Sequence, residues 1–257
     1  SGDEVFALRR GSGTPLPGVE AVRADLGDPE SLTSLPRSLD GVVFCAAPSS
    51  PDEPGYRRIF VDGLGNLIES LAGAPRPPRL IFTSSTAVYG QSNGEWVDES
   101  SETRPKRFNG QLLLEAETLV HDGPLPGCVL RLGGIYGPGR TWQIDSVRAG
   151  RARLSPGEPH YTNRIHLEDA ARSTQHLLLL PEVEPIYLGV DHEPAASNDV
   201  LRFLAAELGL PEPPMAETQP PRRAGSKRCR NDRLIESGYR MVYASFREGY
   251  RSVLDAV

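Results

Sequence analysis

The sequence predicts an α/β fold built on a doubly wound parallel sheet, and three observations carry that expectation. DGVVFCAAP is a continuous apolar run bounded by turn residues, as expected of a strand covered on both faces, and RLIFTSS and GCVLRL read as further strands. They alternate with segments of helical period, above all Tyr56 to Ala72, where Ile59, Phe60, Leu64, Leu67, Ile68 and Leu71 recur on one face. A chain of 257 residues, 38% of them hydrophobic, is long and apolar enough for one large α/β domain with a small satellite.

In chain order, DEVFALRR predicts a short strand, followed by the glycine- and proline-rich turn GSGTPLPG and a second strand, VEAVRADL. Asp28, Pro29 and Glu30 form a helix start: a capping acceptor, a proline in the first turn and an acid near the N-terminus. DGVVFCAAP, the helix near 56–72 and the strand RLIFTSS come next. A helix follows over about 110–120, capped by Asn109 or a polar neighbour. GCVLRLGGIYG is a strand running into a glycine-rich loop, and EPIYLGV is a further strand. Beyond Pro138 the pattern loosens into short strands and helices such as SNDVLRFLAAELG, and Ser226 to Val257 holds two helical pieces around a turn. The expected organisation is a sheet domain over 1–137, with a further strand near 185–191, and a small lobe over 138–257 interleaved with it.

Composition narrows the function. Twenty-eight Lys+Arg against 34 Asp+Glu leave a net charge of −6, the wrong sign for bulk binding to nucleic acid. No apolar stretch approaches the ~20 residues of a membrane span, so a cytoplasmic protein is expected. Cys45, Cys128 and Cys229 are widely spaced and suit reduced thiols, with Cys45 and Cys128 expected in the core. His121, His160, His166, His176 and His192 lack the close pairing of a zinc site, so no metal is expected. Of the 28 basic residues only Lys106 and Lys227 are lysines.

Four motifs occur in order: ADLGDPESL, IFTSSTAVYG, VLRLGGIYGPGR and NRIHLEDAA. Together they resemble the extended short-chain dehydrogenase/reductase superfamily, in its NAD-dependent epimerase/dehydratase type acting on nucleotide sugars. GQLLLEAE, SKRCRNDRLIESGYR and SFREGY resemble its atypical YeeZ-like branch. The resemblance implies a Rossmann-type sheet with a small C-terminal substrate lobe, a small-molecule substrate and a homodimer. It implies an oxidoreductase that uses NADP, or NAD as the alternative.

Two departures stand out. The family opens on a strand and a glycine-rich turn that holds the pyrophosphate; here GSGTPLPG follows the first visible strand and opens no helix. DEVFALRR therefore corresponds to the family's second strand, and the sheet domain is expected to be incomplete at its N-terminal side, lacking a central strand. The family's Tyr-x-x-x-Lys pair is also missing: the positions four before Lys106 and Lys227 are Glu102 and Arg223. Aligned on Glu115, Arg107 falls at the tyrosine position and Gln111 at the lysine position, with Phe108 adjacent.

By the resemblance, Ser85 is the catalytic hydroxyl, although Ser84, Ser85 and Thr86 equally suit strand-end hydroxyls that bond nearby backbone. Proton transfer falls to Ser85 with water, to Asp98 or Glu99, or to Tyr136. The cofactor residues implied are Arg9, Arg10, Asp25, Leu26, Ala46, Ala47, Thr83, Ser84, Gly133 and Ile135. Arg9 and Arg10 stand where NAD-dependent relatives place an acid, so they suit a 2′-phosphate; the plain alternative is a solvated arginine pair. GGIYGPGR is either a loop closing over the nicotinamide or a glycine turn leaving the sheet. Tyr89, Arg140, Arg164 and His166 are implied at the substrate, with Tyr89 as readily a core aromatic. The alternative to an enzyme is a non-catalytic NADP-binding redox sensor or regulatory protein.

Overall fold

The computed structural model describes residues 2–11, 13, 16–219 and 225–255. Part of the turn after the first strand and Arg223 lie outside them. The chain divides into two compact units: Ser1–Phe82 with Arg107–Val129, and Thr83–Lys106 with Leu130–Val257.

The order is β1 (Val5–Arg9), β2 (Val19–Arg23), a 3₁₀ turn (Pro29–Ser34), β3 (Gly41–Phe44), α1 (Glu53–Tyr56), a π-helical segment (Arg57–Gly63) and α2 (Leu64–Ala72). Then come β4 (Arg79–Ser85), a 3₁₀ turn (Thr86–Val88), β5 (Glu95–Val97), α3 (Phe108–His121), β6 (Gly127–Leu132) and β7 (Gly134–Tyr136). The chain continues with α4 (Trp142–Arg148), β8 (Tyr161–Thr162), β9 (Arg164–His166), α5 (Leu167–Leu179), β10 (Ile186–Gly189) and β11 (Ala195–Ala196). It closes with α6 (Ser197–Glu207), β12 (Lys227–Cys229), α7 (Asp232–Glu236) and α8 (Phe246–Asp255). The result is an α/β fold with a parallel sheet.

In the first unit β3 and β4 pair in parallel, Gly41 opposite Arg79 and Phe44 opposite Phe82. The start of β6 joins them, with the Leu80 amide donating to the Pro126 carbonyl at 2.8 Å. A side chain at Gly127 would strike the Leu80 backbone, so only glycine lets the strand enter here. Phe82 packs against Phe44 and Phe60 with ring centroids 5.8 and 6.3 Å apart. The periodic stripe of α2 is buried at Leu64, Leu67, Ile68 and Leu71, as its spacing requires. Asp28 caps its 3₁₀ turn by accepting from the Glu30 amide, with Pro29 in the first turn.

Four local expectations need correction. DGVVFCAAP is not covered on both faces: Val43 is 38% exposed and Cys45 lies at the surface, and among the described strands β3 stands at an edge of its sheet. An apolar run carries no information about which strand stands at an edge. Asn109 lies inside α3, whose cap position is Arg107 without a side-chain cap bond. VEAVRADL stays extended only to Arg23, since the chain turns at Asp25 to Asp28. GIY is a strand rather than a loop.

β1 and β2 form a separate parallel pair, Val5 opposite Val19 and Arg9 opposite Arg23, and β1 shares no ladder with β3.

In the second unit the Gly133 amide donates to Gly189 at the end of β10, 3.0 Å away. β7 pairs in parallel with β9, and β12 in parallel with β5. Tyr136, Ile144, Val147, Val200, Phe203, Leu204, Phe246, Tyr250 and Val253 form its apolar core. No described helix is long and apolar enough to cross a membrane.

Candidate functional site

The first unit holds the expected residues Arg9, Arg10, Asp25, Leu26, Ala46 and Ala47. Arg9 ends β1 half-buried, Arg10 is exposed, and neither forms an ion pair with a described residue. Asp25 is committed locally: its carboxylate accepts from the Gly27 amide at 2.9 Å and from Arg58 at 3.1 Å. The adjacent Leu26 is buried, with its carbonyl taking the Asn66 side-chain amide at 2.8 Å. Asp25 and Leu26 therefore fasten the end of β2 to the π-helical segment and α2. Ala46 is half-buried and Ala47 exposed just beyond β3. A cavity of ≈ 700 Å³ lies at the other end of β3, lined by Arg37, Asp40 and Arg76, and includes none of these residues.

The second unit holds the rest. Thr83, Ser84 and Ser85 end β4, with Ser84 buried and Ser85 half-buried. Ser85 Oγ accepts from the Ala87 amide at 3.2 Å, capping the 3₁₀ turn. Strand-end bonding and chemistry are compatible here, because a hydroxyl that accepts still has its own proton to donate.

Tyr89 is 3% exposed; its hydroxyl donates to the Asp98 carbonyl and accepts from Arg131, both at 2.8 Å. Burial raises its phenol pKa further above the ordinary value, despite Arg131 5.0 Å from the ring centre. The two carboxylates after it differ. Asp98 is held below its usual range by bonds from the Ser100 and Ser101 hydroxyls and amides. Glu99 is raised by burial, although it accepts from the Leu188 amide at 3.0 Å. Of the two, Glu99 is the better placed to hold a proton.

Gly133 and Ile135 sit at β7, which is tied to β9 rather than free to close over a ligand. The Gly134 amide donates to Asn163 at 2.9 Å, and Ile135 and Tyr136 face Ile165 and His166 in register. Tyr136 is 4% exposed, with its ring 4.3 Å from that of Tyr250. Its buried hydroxyl has no described partner, and burial pushes its pKa well above the ordinary value. It stays protonated and enclosed. Arg164 and His166 are likewise buried in β9: Arg164 bonds the Thr162 hydroxyl at 2.6 Å, and His166 Nδ1 accepts from the Glu168 amide at 3.2 Å to cap α5. Arg140 is exposed after the Gly139 turn. A cavity of ≈ 300 Å³ in this unit is lined by Ser155, Tyr161, Asn198, Arg202 and Met215, and by none of the expected site residues.

Two residues of the second unit escaped the sequence reading. Asp191 is 2% exposed with one carboxylate oxygen lacking a described partner. Lys227 is 2% exposed in β12. A signal for Lys227 was present, namely the scarcity of lysine in a chain that otherwise uses arginine.

The family model for the NAD dependent epimerase/dehydratase family matches residues 1–153. Protein YeeZ of Escherichia coli K12 is 34% identical over 218 residues, covering 79% of this chain and 76% of its own length. A solved structure of NAD-dependent epimerase/dehydratase type from Methylobacillus flagellatus superposes with a TM-score of 0.83 at 35% identity, covering 99% of this chain and 90% of that one. The human epimerase family protein SDR39U1 (isoform 2), solved with NADPH, shares the fold at 20% identity and a TM-score of 0.81, covering 100% of this chain and 92% of that one. With its parallel sheet, its Ser-Ser strand end and these matches, the chain belongs to the NAD dependent epimerase/dehydratase family.

Proposed function

We propose that the protein is an NAD(P)-dependent oxidoreductase of the epimerase/dehydratase kind that works without a Tyr-x-x-x-Lys pair and prefers NADP. Its substrate class is a nucleotide sugar or a related small molecule. The observation that carries this reading is Ser85, a half-buried hydroxyl at the C-terminal end of a parallel strand with its proton left to donate. That end of an open α/β sheet is where ligands bind.

A nicotinamide dinucleotide, when bound, supplies the hydride acceptor or donor; everything else falls to the chain. Arg9 and Arg10 suit a 2′-phosphate, which a guanidinium meets with two charge-assisted bonds and an acid would repel. Their lack of described ion-pair partners supports this choice. Ser85 would orient and polarise the substrate oxygen. Glu99, raised by burial, is fitted to hold a proton, and Asp98, held low by its serines, is fitted to stay ionised.

The missing pair supports a second reading, a redox sensor that binds NADP without turnover. Calorimetric titration of the purified protein with NADP and NAD, and a nucleotide-sugar screen of wild type and Ser85→Ala, separate the two. NADP should bind more tightly than NAD, and Ser85→Ala should keep that affinity while losing ~100- to 10,000-fold in turnover. Equal or tighter NAD binding would remove the cofactor assignment. Full activity in Ser85→Ala, or no activity in wild type alongside tight NADP binding, would put the sensor ahead.

A further inference from the structure

Arg58 is held in place by more than its ion pair. It belongs to the π-helical segment Arg57–Gly63, a rare geometry that recurs at functional sites. The two consecutive arginines turn to different partners there. Arg57 makes a bidentate pair with Glu115 of α3 at 2.8 and 3.0 Å, whereas Arg58 Nη2 donates to the Asp25 carboxylate at 3.1 Å. With 57% of the Arg58 side chain in solvent, the Asp25 pair alone stabilises little.

Two glycines make room for this junction. A Cβ on Gly27 would lie 2.8 Å from Arg58 Nε, 3.0 Å from Nη2 and 3.3 Å from Cζ. A Cβ on Gly63 would lie 2.9 Å from Leu26 Cβ and 3.0 Å from the Arg58 carbonyl. Because the two nitrogens are nearer to Gly27 than the carbon between them, the guanidinium meets the Asp25–Gly27 turn with its Nε–Nη2 edge. That contact uses the edge and not the flat faces.

The turn also stands at a ligand-binding end of the strands. The Ala24 amide donates to the Arg9 carbonyl at 3.3 Å, so the turn adjoins the C-terminal ends of the parallel strands β1 and β2. Ligands of open α/β sheets bind at such ends. In NADP the 2′-phosphate and the adenine hang from one ribose. A phosphate met by Arg9 or Arg10 therefore puts the adenine one sugar away, within reach of this turn.

We propose that Arg58 is a cofactor-binding residue whose guanidinium face stacks on the adenine ring of the dinucleotide, with Asp25 and Gly27 fixing its edge. The proposal rests on the cofactor reading above. A cation over an aromatic face is attracted by the ring, and arginine adds a flat surface to the contact. A phosphate would instead need the two-nitrogen edge, which the turn already holds. Arg9 and Arg10 thus tell the two cofactors apart, whereas Arg58 grips what NADP and NAD share.

Calorimetric titration of the purified protein with NADP, NAD and 5′-AMP tests this in wild type, Arg58→Ala and Arg58→Lys. Arg58→Ala should weaken all three ligands ~fivefold and leave the ratio of NADP to NAD affinity unchanged. Its denaturation midpoint without ligand should match wild type, because the pair is exposed. Arg58→Lys keeps a charge beside Asp25 but has no flat face, and should remain ~threefold or more weaker than wild type. Wild-type affinities in Arg58→Ala, a loss confined to NADP, or full recovery in Arg58→Lys overturns the proposal. A loss of affinity that comes with a lower midpoint also overturns it, marking a structural tie instead. A wild type that binds none of the three ligands would defeat the cofactor reading itself, and this assignment with it.

Discussion

Asp191 is an acid the fold keeps partly neutral. Its amide donates to the Arg164 carbonyl at 2.7 Å, and one carboxylate oxygen takes the Glu193 amide at 3.2 Å. Burial pushes its pKa from 3.8 up to about 7, opposed in part by the Arg164 charge. A carboxyl raised on folding stabilises fully below its unfolded value, and that stability drains as pH rises through the folded value. The loss in that window is at most about 1.4 kcal/mol per pH unit. Asp191→Asn should flatten this decline in urea melts taken across the window. His166 acts on the opposite side. Burial pulls its pKa below 6.5, and protonation would also place a hydrogen on the Nδ1 that caps α5. Its stabilisation is present above the unfolded value and lost as pH falls, so His166→Asn, an acceptor that does not titrate, should remove that acid-side slope. Tyr136 has its hydroxyl buried beside Gly249 without a described partner. Tyr136→Phe should leave thermal stability unchanged or raised, since it removes an unsatisfied group. Gly249→Ala would drive a methyl into that hydroxyl and should cost about 1–3 kcal/mol in a denaturant melt.

Among the elements, α8 shows how a modest helix anchors a unit. Phe246, Gly249, Tyr250 and Val253 form its buried stripe, and the Phe246 ring meets Phe203 of α6 at 5.4 Å. Phe246→Ala should cost about 3–5 kcal/mol, measured as a lower denaturation midpoint at unchanged slope. Elements of this kind were legible in advance because period and burial agree. The α2 stripe, the Asp28 cap and the apolar runs of β4 and β6 all fell where local chemistry put them. What escaped was decided by partners remote in sequence. Val43 and Cys45 lie in an apolar run, yet both are exposed, and among the described strands β3 stands at an edge of its sheet. GIY reads as a glycine turn until Arg164, Ile165 and His166 pair with it. At the candidate site, the place of Ser85 at the end of a strand was legible from the apolar run before it. Tyr89, Arg164 and His166 were named for a ligand, but their hydrogen bonds go to protein groups. The lysine count pointed to a missing pair, whereas the burial of Lys227 needed the β12–β5 pairing to be seen.

Across the molecule, protection from solvent is uneven. β1 and β2 form a two-stranded pair in which Val5 is 47% exposed, while Leu80, Ile81, Phe82, Val129 and Leu130 are wholly buried. Two-stranded sheets are marginal by themselves, so amides of 5–9 and 19–23 should exchange with deuterium well before those of 79–82 and 127–132. Equal protection across both sets would show that the pair is held more firmly than its burial implies. Unevenness also governs the three thiols. Cys128 and Cys229 are buried and pushed up to about 12, whereas Cys45 is exposed next to Ala46 and Ala47. A maleimide dye will therefore attach at a single address, without any cysteine having to be engineered away. Under the cofactor reading proposed above, which puts Ala46 and Ala47 at the dinucleotide, that dye's emission should change as NADP is added to the native protein, and a constant emission would count against those two contacts.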